Sequence, residues 1–187
     1  MTHIDAPGSR IRIDEDTLRE VAEDPDALSA WCDAHPEDPR TVAFLRIVGR
    51  LDEAAAAGRR ALEQAGVQPL VRAVRRARYA HVLQWQGAFV AADEQFDIAA
   101  EESGLGDPTS PSSLLVLASV FQHRAKNRFE HAAHLRARDR PLAAHRTLAA
   151  ACEDARRALS LRESLSPEDA ELIASSRQTL ARISRSG

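Results

Sequence analysis

Seven histidines and two cysteines are spread through 187 residues, and two of their spacings have the form of metal-ligand pairs. His131 and His134 share one face of any helix that carries them, with Glu130 beside them. Cys32 and His35 repeat the spacing. Neither pair has a third donor at fixed distance, so both read as surface histidines ahead of a metal centre. The helical metal-dependent hydrolase they would support is the third choice for function. Arg72, Arg75 and Arg76 form a basic stripe with Arg78 off it, able to clamp a carboxylate or phosphate, or simply to pair with nearby acids. Lys126 is the single lysine among 25 basic residues. With Gln122 and Glu130 it falls on one helical stripe at intervals of four, which suits a specific point charge as well as chance. No Gly-rich phosphate loop, nucleophile elbow or dinucleotide fingerprint is present, so no catalytic residue and no cofactor is expected.

The elements that must carry these residues are helical. Alanine-rich stretches such as 54–57 and 149–151, with only 4% aromatic residues, favour closely packed helices over strands. Hydrophobic residues at 44% and charged residues at 28% are ordinary globular usage, so the chain is expected to fold alone as one domain. A formal charge of -3 provides no field for nucleic acid or an anionic membrane surface. No apolar run approaches a membrane span, the N-terminus lacks a signal pattern, and the two cysteines are not paired as a motif, which together point to the cytoplasm.

Residues 1–14, with Pro7, Gly8 and Ser9, read as a flexible tail. Asp24-Pro25 and Asp38-Pro39 mark helix starts near 25 and 39. Helical periodicity then predicts hairpins over about 39–66, 73–102 and 112–163, broken by Gly49, Gly87 and the loop 103–111. Ser166-Pro167-Glu168-Asp169 opens a last helix, about 167–184, whose Leu172, Ile173, Leu180 and Ile183 form an apolar face suited to capping the stack.

Two hairpins align on their glycines. Gly87-x-Phe89-x2-Ala92-x3-Phe96-x2-Ala99 and its weaker copy Gly49-x-Leu51-x2-Ala54-x3-Gly58-x2-Ala61 resemble the second half of the tetratricopeptide repeat pattern. Leu114-x2-Leu117-Ala118-x2-Phe121 resembles its first half, and the run His123 to Glu130 resembles a segment common in bacterial members of that family. About a dozen extra residues follow it, around 131–145. The resemblance implies an all-α, right-handed superhelix of stacked antiparallel helix hairpins with a C-terminal capping helix, a divergent bacterial relative of that family.

It further implies a concave groove lined by the first helix of each pair, where a partner segment binds. On that register the groove candidates are Arg78, His81, Gln84, Trp85, Gln122 and Lys126, although for each alone a core or solvated position comes ahead of a groove contact. The expected function is a non-enzymatic protein-protein interaction module, an adaptor or scaffold for a protein or peptide, with an acidic segment favoured by Lys126 and the Arg72–Arg78 helix. A sensor or dimerisation component of a regulatory system is the alternative, and a homo-oligomer stays open.

Overall fold

The chain's helix formers are punctuated by proline and glycine at the element ends, and the structure follows that punctuation. The computed structural model describes residues 3–165 and 170–186, with side chains from residue 6 onward. Among these residues, eight helices pack in sequential antiparallel pairs beside a small sheet. They are α1 (Pro25–Ala34), α2 (Thr41–Ile47), α3 (Leu51–Glu63), α4 (Pro69–Trp85), α5 (Phe89–Gly104), α6 (Pro111–Ala137), α7 (Pro141–Leu165) and α8 (Ala170–Ser184). Strands β1 (His3–Ala6), β2 (Ser9–Ile13) and β3 (Glu20–Ala22) form an antiparallel sheet in that order.

Helix starts have identifiable caps. The Asp24 carboxylate accepts from the Ala27 amide at 2.9 Å, with Pro25 in the first turn of α1. The start expected near 39 moves to Thr41, because the Asp38 carboxylate is taken by the Arg40 amide at 2.8 Å and by its guanidinium. It closes a turn instead of capping a helix. The Ser166–Asp169 capping sequence lies outside the described residues. Helix α8 that follows buries Ile173 and Ile183 as expected, while Leu172 is exposed.

Three turns share one hydrogen-bond pattern. Gly49 and Gly87 adopt φ of 82° and 77°, and each lets the next residue's amide reach back to the helix: Arg50 to the Leu45 carbonyl and Ala88 to the Leu83 carbonyl, both at 2.9 Å. This is the double reach-back of a left-handed helix C-cap. Asp139, at φ 56°, makes the same turn between α6 and α7, with the Arg140 amide on the Leu135 carbonyl at 3.0 Å. Residues 131–137 and 141–145 are thus helical, within α6 and α7, which run 27 and 25 residues.

Small residues set the helix crossings. A Cβ added at Gly58 would stand 2.9 Å from the Tyr79 ring, so α3 and α4 approach only because that side chain is absent. Ala92, Phe96 and Ala99 are fully buried against α4 and α6. Helices α5, α6 and α7 are also tied by charge: Asp154 accepts from Arg124 at 2.7 and 2.8 Å and from Arg128 at 2.8 Å, while Arg128 also holds Asp93.

The N-terminal segment corrects the expected flexible tail. Alternating Ile11 and Ile13 are 2% and 6% exposed, a strand signature that the short polar surroundings obscured. Between β2 and β3 the Asp14 side chain and carbonyl fasten Thr17 and Leu18 into a closed loop. Leu18 takes φ 60° there, and its side chain packs with Ala125, Phe129 and Ile183. Burying a leucine contributes about 1.5–3 kcal/mol, enough to offset a left-handed backbone costing roughly 1–2. The segment thus packs Leu18, Arg19 and Glu20 against α4 and α6, where an open groove was expected.

Candidate functional site

Glu20, the first residue of β3, carries its carboxylate to the middle of that inner surface. Arg46 of α2 donates to its Oε2 at 2.9 Å, His81 Nε2 of α4 lies 3.8 Å from the same oxygen, and Lys126 Nζ of α6 lies 3.9 Å from Oε1. His123 of α6 packs its ring on His81 with centroids 4.4 Å apart. Four elements distant in sequence therefore meet at one buried polar cluster.

The cluster's protonation follows from burial and charge. Burial works against the Glu20 carboxylate, but Arg46 first and Lys126 second outweigh it and hold its pKa well below the ordinary range. Burial and the Arg46 charge push His81 well below its usual value, and burial with Lys126 pulls His123 down to about 3. Both imidazoles are neutral at physiological pH. Lys126 is lowered by burial, with Glu20 opposing. His123 Nδ1 has no solvent contact and no hydrogen-bond partner.

Above this floor lies a cavity of about 440 Å³. Ile11 of β2, Phe44 and Ile47 of α2, Val74 of α4, and Leu115 and Val120 of α6 form its apolar walls. Its charged lining consists of Glu20, Arg46 and Arg78, with His81 and His123 beside them. The volume lies within the range of small-molecule sites, and partly exposed Ala43, Val116 and Ser119 form part of its lining.

All six residues expected in the groove face this inner surface, but five are not the exposed contacts foreseen. His81, Gln84, Gln122 and Lys126 are at most 5% exposed. Gln84 donates to Glu130 at 3.0 Å. Gln122 donates to Ser175 Oγ and accepts from Ser176 Oγ and from Arg162. Trp85 is half-buried, gripped between the Arg19 and Arg46 guanidinium groups at 4.9 and 4.7 Å, with its indole N–H unpartnered. Only Arg78 keeps an open aspect: it is half-buried, lines the cavity, and donates to the Pro39 carbonyl at 2.7 Å. The stripe Gln122, Lys126, Glu130 does point one way, towards α8 and the N-terminal segment, where Glu130 is clasped by Arg19 at 2.6 Å.

The other pairs singled out by spacing are occupied locally. His131 and His134 both pack on Phe89 at 5.4 Å. Cys32 is buried, while His35 stacks on Trp31 and bonds its carbonyl. Arg72 and Arg76 share Glu102, and Arg75 donates to the Ala61 carbonyl. Sequence reasoning missed Glu20, Arg46 and His123. Arg46 had a signal, a single charge inside the apolar run Val42 to Ile47; Glu20 had none, because the three-residue strand that carries it has no periodic pattern to mark it.

Glu20, His81 and His123 place donor atoms within 4.8 Å of one another, the one such group among the described residues. Charge argues against a cation there. Unit charges 4 Å apart interact by about 4 kcal/mol at an effective dielectric of 20, so a divalent ion beside either Arg46 or Lys126 is repelled by about 8 kcal/mol. Two such cations oppose most of what structural zinc gains, about 10–16 kcal/mol with a full ligand set. No family model, curated protein or solved structure matches this chain. Among the described residues, no helix is long and apolar enough to cross a membrane.

Proposed function

We propose that this chain is a non-catalytic binding module, of the kind that senses a ligand for a regulatory system, and that the ligand enters the cavity between α2, α4 and α6. The observation that carries this is the cavity itself: apolar walls over a fixed, fully built polar floor, with no strand or side chain of the described chain filling it. The likeness to tetratricopeptide repeats is part of the same proposal, supported by the three turns at Gly49, Gly87 and Asp139 and by the small residues at the helix crossings. A cytoplasmic setting belongs to it as well.

An adaptor for a protein segment is the second reading. It is favoured by the partly exposed Ile47, Val74, Leu115 and Val116 in the cavity lining, where a partner could lay one apolar side chain. Native mass spectrometry of the chain purified gently from its source cell tests the first reading. The expected result is a small-molecule adduct on the unmodified chain that disappears from Val116→Trp, whose indole fills the cavity from its partly exposed side. The same adduct on both proteins, or on neither, would contradict it.

A further inference from the structure

Resting on the cavity reading above, we infer that the ligand is an aliphatic monocarboxylate, its tail against the apolar walls and its carboxylate on the Arg46 and Arg78 guanidinium groups. The argument is charge bookkeeping at a buried surface. Two guanidinium groups against the single Glu20 carboxylate leave the cavity lining net positive by one among the described residues. Lys126, 3.9 Å from Glu20 on its other oxygen, adds a second positive charge close behind it. The neutral imidazoles of His81 and His123 subtract nothing. Positive charge outnumbers the one carboxylate at this floor, so an anion there reduces an imbalance that a cation would worsen.

The donors fit as well as the charge does. Arg46 uses Nη1 on Glu20, and Arg78 uses Nη1 on the Pro39 carbonyl; among the described residues the remaining guanidinium nitrogens of both make no hydrogen bond. A guanidinium edge accepts a carboxylate in a planar, two-pronged geometry. His123 Nδ1, buried and unpartnered, adds a further polar atom to the same floor. Apart from the Ser119 hydroxyl, which donates to the Leu115 carbonyl, the rest of the lining is aliphatic or aromatic, so the body of the ligand is apolar. A volume of about 440 Å³ falls in the range of small-molecule sites and suits a medium-chain acid.

Isothermal titration of the full chain with decanoate, 1-decanol and decyltrimethylammonium, each below its aggregation concentration, tests this. Decanoate is expected to bind once per chain, at least tenfold tighter than the alcohol, with no binding of the ammonium. Arg78→Gln should weaken decanoate about tenfold and leave 1-decanol unchanged, with the circular dichroism spectrum intact. Arg46→Lys should retain part of the decanoate affinity and Arg46→Met should lose it. Equal affinity for acid and alcohol, or tighter ammonium binding, would overturn the carboxylate assignment while leaving the cavity as a binding site. Binding of none of the three overturns the assignment and removes the support for a small-molecule cavity, leaving the protein-segment reading. Binding that survives in Val116→Trp places the ligand elsewhere and defeats both.

Discussion

Arg46 and Glu20, 26 positions apart, share a 2.9 Å hydrogen bond while only 4% and 9% of their side chains meet solvent. That pair fastens the N-terminal sheet to α2 and forms the cavity floor. Removing one member leaves an unpaired buried charge, which typically costs 3–5 kcal/mol. Glu20→Ala should therefore lower stability by about that amount in urea unfolding, and the triple replacement Glu20→Leu, Arg46→Met and Lys126→Met, which also removes the ammonium facing Glu20, should recover a large part of it. A single mutant within 1 kcal/mol of the unmodified chain would show that the pair does not hold the segment.

Acid should destabilise the fold earlier than a carboxylate-only protein. His123 titrates near 6.5 when unfolded and at about 3 when folded, so between these values the unfolded state binds the extra proton and stability rises with pH. His81, lowered in the same direction, adds to the slope. Two pH units below the unfolded value, at about pH 4.5, His123 alone removes up to about 2.7 kcal/mol. Glu20 also has a depressed folded pKa, so its contribution is complete above its unfolded value and is lost only as pH falls further. Unfolding free energy measured from pH 7 to 4 should decline throughout; replacing both histidines with phenylalanine should flatten the upper part of that decline. A profile level from pH 7 to 5 would contradict the burial of the imidazoles.

The triple replacement of His81, Gln84 and Lys126 by alanine separates a buried cluster from an exposed groove. Exposed substitutions cost within about 0.5 kcal/mol each. Here all three side chains are buried, and Gln84 holds Glu130 while Lys126 faces Glu20, so a loss of several kcal/mol is expected. An unchanged melting temperature would restore the open groove.

Backbone strain at the third turn gives a prediction in the opposite direction. Asp139 holds φ 56° where the two equivalent turns use glycine. Asp139→Gly should stabilise the chain by about 0.5 kcal/mol, the relief of the left-handed backbone less the added freedom of the unfolded chain. A measurable loss of stability would mean that the aspartate side chain contributes something the turn geometry does not show. Ala92→Leu, at a fully buried crossing, should cost about 1–3 kcal/mol by overpacking, read as a lower melting temperature.

The helices were legible in the sequence because each rests on a local signal: Asp24-Pro25 caps α1, Gly49 and Gly87 turn the chain, and Phe96 and Ala99 keep helical spacing on a buried face. The third turn was not, since an aspartate at positive φ has no mark distinguishing it from a surface acid. The site was only half legible. The polar stripe of α6 was legible by spacing and the α4 residues followed from the family register, yet what covers them comes from residues 11–20, more than 25 positions from Arg46 at its nearest described anchor, Glu20. Pairing at that range leaves no periodic trace. Two isoleucines at alternate positions were too short a pattern to outweigh Pro7 and Gly8, which in the folded chain only form the turn between β1 and β2.

A crystal structure of the chain with decanoate bears most directly on the central claim that the cavity between α2, α4 and α6 is the binding site. The account predicts one ordered molecule there, its tail along Phe44, Val74 and Leu115 and its carboxylate within hydrogen-bond reach of Arg46 or Arg78. A cavity holding only ordered water, with decanoate seated on another surface of the chain, would contradict it.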